Sequence, residues 1–514
     1  MENERGVASA LVTSVHAGPV EPNSGDADAD QTAALPGFAV KSVLALAVAK
    51  LAMQCAFLTG YGWHRDEFYY LVGGRHLAPG YVDHPLLTPW VARGVAVLFG
   101  SSLGALRLVP ALLGAGMVML AGLLAREFGG DRRAQVVTAL LVVLDPLLIA
   151  TDHLFQTVPF DQLAWIAAAF GLVRLIRTGE ERWWLLVGAA CGFGLLAKAN
   201  IVVWMLGLAI GLILTPARRH LRSPWFGAAA GLVVLGGLPF LWFQLEHGWP
   251  FLEFSRNLND LHAGEERPKF IPGQLLLNGP VAAFVWVPGL IALFRDRALR
   301  TYRVVGWAFV IAFVVFFVTG GKAYYLGPAY VVLFAVGATF LSRHWQRLPR
   351  LLIVGLVVST LVVLPALLPV LPAKTFADSP YGALNGDALE EVGWQQFVRQ
   401  VSHVVEEHHA TMVITDNYGE AGALNVLGDL HVPVRSRQNS YWLWGQVPPH
   451  PRTTFTLVGF GPGEERGYFR TCQTVTRIDN GRGIENDEQG TPVSVCRGLE
   501  RPWKTVWSRL RAYR

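Results

Sequence analysis

Charged side chains are scarce in this sequence. They make up 16% of the 514 residues, against 52% hydrophobic ones, and the mean hydropathy is +0.36, whereas soluble domains carry roughly 25% charge. An ordinary soluble enzyme is thereby excluded, and the bilayer becomes the solvent in which the chain must be read. The formal net charge of +5 could suggest nucleic acid. No single basic stripe accompanies it, because the arginines fall in short clusters between apolar runs, so a nucleic-acid partner is not expected. Cysteine is also rare: Cys55 and Cys191 lie in apolar runs, Cys472 and Cys496 in the polar tail, and no metal-type Cys/His spacing occurs. The first 36 residues lack an apolar core and are rich in Ala, Asp, Gly and Pro, which reads as a disordered cytoplasmic tail. A secretory signal is not expected there either, since the start is mixed in charge and then acidic.

What is present is a series of long apolar runs. Crossing a hydrocarbon core of about 30 Å takes about 20 apolar residues in a helix, the form that pairs its own backbone groups in lipid. The runs fall near residues 38–59, 103–125, 134–151, 157–174, 183–197, 200–214, 225–245, 274–294, 304–320, 323–341 and 351–371, which predicts a mainly α, polytopic protein of about eleven transmembrane helices. The short pair around Lys198 can also be read as one interrupted element. Lys and Arg concentrate in cytoplasmic loops. Here Arg126, Arg132 and Arg133, then Arg174, Arg177 and Arg182, then Arg218, Arg219 and Arg222, then Arg295, Arg297, Arg300 and Arg303, then Arg343, Arg347 and Arg350 occupy every second loop. That alternation predicts a cytoplasmic N-terminus and assigns residues 60–102, 246–273 and the tail from 372 to the outer face.

The outer segments hold the unusual polar residues. Gly62–Leu71 contains Asp66 and Glu67 among Trp63, Phe68, Tyr69 and Tyr70, and Gly80–Leu86 contains Asp83 and His84. An interfacial amphipathic helix explains the aromatics, but carboxylates so close to lipid are costly and tend to be functional. Asp161 follows Pro159 at the outer start of the fourth span, where a helix first-turn acid is the simpler account. Lys322 lies with Tyr324 and Tyr325 between two spans, suited either to snorkelling to headgroups or to holding a phosphate. Arg256, Arg267 and Lys269 add positive charge in the long outer loop.

Taken in order, Arg65–Tyr70, Tyr81–Pro85, Pro159–Asp161, Gly192–Lys198 and Gly321–Pro328 resemble the family 39 branch of the GT-C membrane glycosyltransferases. That branch includes protein O-mannosyltransferases and the bacterial lipid A aminoarabinose transferase. The resemblance covers roughly residues 40–345 and implies a polyprenyl-phosphate sugar donor, an extracytoplasmic active site and an acidic base in the first outer loop. Carried over, Asp66 is the base with Glu67 as the open alternative, Asp161 is a second acid near the acceptor, and Lys322, Tyr324 and Tyr325 grip the donor phosphate. Asp83 and His84 stand where several relatives carry Lys-Pro or paired prolines, which leaves the role of that turn open. The expected reaction is inverting displacement, with no cofactor or metal implied because a Lys can stabilise a departing phosphate. The acceptor stays open between lipid, glycan and protein.

Residues 372–514 lose the apolar runs and read as an extracytoplasmic α/β domain after a transmembrane domain spanning 37–371. Gly393–His409 has helical periodicity, 411–415 and 454–458 read as buried strands, and the turn Asp416–Gly422 follows a strand, where it can either contact an acceptor or simply cap a helix. In an oxidising compartment Cys472 and Cys496 are expected to form a disulfide, with two free thiols as the alternative. A transporter or flippase of a lipid-linked substrate is the competing function, but such proteins show internal repeats and midplane sites. Here the acids gather at one interface.

Overall fold

The computed structural model describes residues 35–344, 350–450, 452–461 and 463–514. The predicted N-terminal tail and Arg347 therefore lie, up to residue 34 and at 347, outside the described residues. In chain order the first helices are α1 (Val40–Cys55), α2 (Arg65–Gly73), α3 (Leu87–Phe99), α4 (Leu103–Glu127), α5 (Arg132–Leu144), α6 (Pro146–Thr151) and α7 (Thr157–Thr178). The bundle continues with α8 (Trp184–Ala197), α9 (Ile201–Ile213), α10 (Pro224–Glu246), α11 (Pro250–Leu277), α12 (Ala283–Arg295), α13 (Arg303–Thr319), α14 (Gly327–His344) and α15 (Arg350–Leu367).

Every one of the eleven predicted spans is helical. By length and composition six described helices can cross a membrane, or eight if two bent pairs, kinked by 107° and 79°, each count as one span. The remaining segments, α1, α5 with α6, and α8, are shorter or broken. Residues 246–273, expected as an outer loop, form most of α11. Its polar sequence lacks the hydropathy of a span but is helical.

The break between α5 and α6 shows how the bundle handles polar groups away from water. Asp145 caps α6 by accepting from Leu148 N at 3.0 Å, and Pro146 supplies no N–H to the Val142 carbonyl four residues back. Lys50 of α1 fills that gap: its Nζ donates to Val142 O at 3.2 Å and to Leu148 O at 3.5 Å. The same ammonium pairs with Asp152 at 2.7 Å, and both side chains are fully buried. From α15, Thr360 Oγ1 donates to Leu144 O at 2.7 Å.

At one end of the bundle the basic loops converge. Glu127 at the close of α4 binds Arg174 at 2.8 Å and Arg177 at 2.6 Å from the close of α7, and Arg343 at the close of α14 donates to Phe128 O at 3.0 Å. The opposite ends of α4 and α7 carry Arg107 and Asp161, and Lys322 lies shortly before α14.

After α15 come α16 (Ala373–Ala377), α17 (Pro380–Leu384), α18 (Trp394–Glu407), β1 (Met412–Thr415), α19 (Tyr418–Leu427), β2 (Val434–Ser436), α20 (Asn439–Trp444), β3 (Thr454–Val458), β4 (Phe469–Arg477), β5 (Pro492–Leu499) and α21 (Trp503–Leu510). The sheet order is β2-β1-β3-β5-β4, parallel between β1 and its two neighbours and antiparallel from β3 through β5 to β4. Cys472 of β4 and Cys496 of β5 face each other and are joined by a disulfide, whereas Cys55 and Cys191 are free. The α/β region is not a separate body: Pro36–Arg514 forms one compact unit, and Phe68 of α2 is buried among Trp394, Phe397 and Val401 of α18.

Removing Lys50 leaves Asp152 buried and alone and frees the Val142 carbonyl. Lys50→Met should cost about 3–5 kcal/mol and lower the melting temperature of the detergent-solubilised protein. The double variant Lys50→Met/Asp152→Leu should recover part of that loss. Equal melting of Lys50→Met and the parent protein would remove the pair from the account of stability.

Candidate functional site

Two cavities of about 610 Å³ and 600 Å³ open between the bundle and the α/β region and share a wall. Asp66, Asp83, Lys322, Tyr324 and Tyr418 line both. His84, Tyr325 and Arg256 line the second cavity only, with Lys198. Seven of the residues singled out in the sequence thus come together around one junction.

Glu67 and Asp161 do not join them. Glu67 is fully buried beside Arg107: the guanidinium donates to Oε1 at 2.7 Å and to Oε2 at 2.9 Å, and the backbone of His64 and of Phe155 adds bonds at 2.9 Å and 3.2 Å. The carboxylate closes the first turn of α2 as part of a capping box and holds that turn to the bundle. Its neighbour Asp66 is one helical step further round and keeps 29% of its side chain accessible. Asp161 is buried on α7 and lines neither cavity. It caps no backbone N–H; its Oδ1 accepts from Trp165 Nε1 at 3.1 Å, and Lys198 is the cation that acts on it.

The two carboxylates at the junction sit in different electrostatic surroundings. Burial raises the pKa of Asp66, but the charges of His64 and Arg65 and a hydrogen bond from Tyr418 outweigh it, so the group stays below the usual aspartate range. Tyr418 OH donates to Asp66 Oδ1 at 2.6 Å. Asp83 is pushed up: burial and the nearby Asp66 charge prevail over His84 and over the Tyr69 hydroxyl, which donates to its Oδ1 at 2.7 Å. Environments that separate two carboxyl groups in this way divide acid and base roles. His84 Nδ1 lies 2.8 Å from Pro85 O; a carbonyl can only accept, so that nitrogen carries a proton.

Opposite them lies positive charge. Lys198, in the break between α8 and α9, rests over the rings of Tyr324 and Tyr325, 5.3 Å and 5.2 Å from their centroids. Among the described residues Lys198, Arg256 and Lys322 have no salt-bridge partner. Three such cations around one cavity suit a phosphate or another anion.

The sequence reading missed Lys198, Tyr418 and Arg107 as site or scaffold residues. Lys198 lay at the suspected break between two short spans, which was a usable signal. Arg107 was an ionisable residue inside an apolar run, a second such signal. Tyr418 belonged to the Asp416–Gly422 turn, but nothing in the sequence distinguished it from its neighbours.

The chain is similar to several known proteins. The family model of dolichyl-phosphate-mannose-protein mannosyltransferases matches residues 83–243. The lipid A galacturonosyltransferase RgtD of Rhizobium johnstonii is 25% identical over 404 residues, covering 74% of this chain and 80% of that protein. The undecaprenyl phosphate-alpha-4-amino-4-deoxy-L-arabinose arabinosyl transferase of Pseudomonas paraeruginosa is 30% identical over 191 residues, 34% of each chain. Among solved structures, ArnT from Cupriavidus metallidurans bound to undecaprenyl phosphate has the same fold, with a TM-score of 0.60 at 14% identity over 89% of this chain and 97% of that one. The protein is thus a multi-pass membrane glycosyltransferase, similar to those of GT-C family 39.

The placement of Asp66 and Glu67 separates folding from chemistry. Glu67→Gln should lower the melting temperature, because truncating the charge leaves Arg107 partly uncompensated at a cost of about 3–5 kcal/mol. Asp66→Asn should melt within a degree or two of the parent protein. A reversal of these two effects in a thermal-shift assay would contradict the division of roles.

Proposed function

We propose that this glycosyltransferase moves a sugar from a polyprenyl-phosphate carrier to a hydroxyl group of an acceptor by inverting displacement. The observation that carries the reading is the cavity junction, where Asp66 and Asp83 face the unpaired cations Lys198, Arg256 and Lys322. The relatives named for undecaprenyl-phosphate sugars and for lipid A support the donor class.

In the proposed step the acceptor oxygen bonds to the anomeric carbon while the bond from that carbon to the phosphate oxygen breaks. The electron pair leaves with the polyprenyl phosphate, whose charge Lys322, Lys198 and Arg256 stabilise. The hydroxyl proton goes to Asp66, which is ionised at neutral pH and so can receive it. Asp83 orients the acceptor or supports positive charge on the ring. Leu147, Leu154, Val158, Leu258 and Leu277 give the first cavity an apolar wall, which suits an acceptor with a lipid portion over a free glycan or a protein. The alternation of basic loops supports an outward-facing site, with the α/β region extracytoplasmic and the N-terminus cytoplasmic.

Asp66→Asn should reduce transfer from radiolabelled polyprenyl-phosphate sugar by about a hundredfold or more while the protein still inserts in the membrane. Near-normal turnover would sink the assignment. Lys322→Ala should raise the donor KM, and Lys322→Arg should rescue it only partly, because a planar fork does not reproduce a compact ammonium.

The pH dependence follows from the sign of the Asp66 shift. Its base form exists above its folded pKa, which lies below the ordinary value of about 3.9, so kcat/KM should stay flat from neutral pH down to that range and fall only beneath it. A limb above the ordinary aspartate range would transfer the base role to Asp83, whose carboxyl is pushed up by burial.

A further inference from the structure

We propose that Tyr418, at the start of α19 in the α/β region, is a positioning residue for Asp66: it commits one carboxylate oxygen to a hydrogen bond and leaves the other for the acceptor proton. The proposal rests on the reading of Asp66 as the base.

The ring is fixed from several directions. Asn417 caps α19 by accepting from Glu420 N at 2.8 Å, and Glu420 reaches back to Asn417 N at 3.1 Å, a reciprocal cap that sets the first turn. Tyr418 N donates to Gln438 Oε1 at 2.9 Å, and the ring stacks on Tyr69 with centroids 4.6 Å apart and planes 21° from parallel. Behind it, α19 lies against α2 at glycine distance. A Cβ at Gly419 would stand 2.6 Å from Arg65 Cβ, and one at Gly422 would stand 2.5 Å from Phe68 Cβ, so no larger residue fits at either position without separating the helices. The approach brings the phenol oxygen to 2.6 Å from Asp66 Oδ1.

A tyrosine serving only to glue two helices would have no reason to face both cavities, as Tyr418 does. Its partner Tyr69 does the same for Asp83, donating at 2.7 Å while accepting from Ser440 N at 3.2 Å. The α/β region therefore reaches both junction carboxylates, one directly through Tyr418 and one through the Tyr69 hydroxyl.

Asp66 is faced by His64, Arg65 and Tyr70 on its own helix, by Asp83 and His84 from the following turn, by Tyr324 before α14 and by Tyr418. Among these Tyr418 donates a side-chain hydrogen bond to it, and donation to a carboxylate favours its ionised form. Tyr418→Phe keeps the ring and its stacking and deletes the donor alone.

The test measures kcat/KM against pH, using the full-length enzyme and labelled polyprenyl-phosphate sugar. Tyr418→Phe should lower kcat/KM about ten- to hundredfold, as expected for losing a hydrogen bond to a charged group, with the donor KM unchanged and the acid limb moved up by about one unit. Replacing Tyr418 with 3-fluorotyrosine, a stronger donor of nearly the same shape, should move the limb the other way. A limb that stays in place in both variants overturns the proposal, whatever the rate, because packing alone does not move it. Asp66→Asn distinguishes the two failures. If that variant is active, the base assignment falls; if it is inactive while the Tyr418 profiles do not move, the base stands and Tyr418 is removed from the site.

Discussion

The site depends on one guanidinium buried where water cannot reach it. Arg107 on α4 is fully buried, and an isolated ion there would cost far more than folding supplies. It is neutralised by Glu67 from α2 and by Glu391, 3.2 Å away, from the segment before α18. It also donates to Leu58 O, Gly62 O and His153 Nε2 at 3.3, 2.8 and 3.3 Å. Those partners come from the bundle, from both outer connections and from the α/β region, so none of these parts can pack correctly without the others. Removing one leaves a charge unpaired, and the penalty enforces the register of α2. Asp66 is one residue along the same helix, so fixing Glu67 toward Arg107 also turns Asp66 toward the cavities.

The same constraint explains what was legible in the sequence. The helical segments of the bundle were readable because lipid demands long apolar runs, and the convergence of basic loops near Glu127 follows the alternation of Arg clusters along the chain. The association of Asp66, Asp83, His84, Lys322, Tyr324, Tyr325 and Arg256 was suggested by topology. The distinction between Asp66 and Glu67 was not, because adjacent carboxylates have equal claims until Arg107 is seen to take one of them. Asp161 was assigned to the correct end of its helix, but a depth argument does not fix the helix face, and Trp165 holds it away from the cavities. In the α/β region β1, β3 and α18 had strong apolar signals. Strand β4 is mostly exposed along its length, so it lacks the alternation that marks a half-buried strand.

An enzyme that stabilises a leaving phosphate needs cations that are not already neutralised, yet unpaired cations near lipid are expensive. This structure reconciles the two demands by separating its charges. Arg107 and Lys50 are saturated by carboxylates and carbonyls and serve the scaffold, whereas Lys198, Arg256 and Lys322 keep their charge available at a cavity wall. Lys198 shows how such a cation is tolerated: the faces of Tyr324 and Tyr325 and the nearby charge of Asp161 offset part of its desolvation, while no carboxylate is in salt-bridge contact with it. The carboxylates follow the same division. Glu67 is spent on structure, while Asp66 and Asp83 are each held by a tyrosine hydroxyl, a neutral donor that orients a carboxylate without cancelling its charge. The closest ionic neighbour of either, His64 Nδ1 at 3.9 Å from Asp66 Oδ2, lies beyond hydrogen-bond distance and leaves the carboxylate charge in place. Neutral partners at the junction and ionic partners beneath it are therefore the arrangement expected where position and charge must both be preserved.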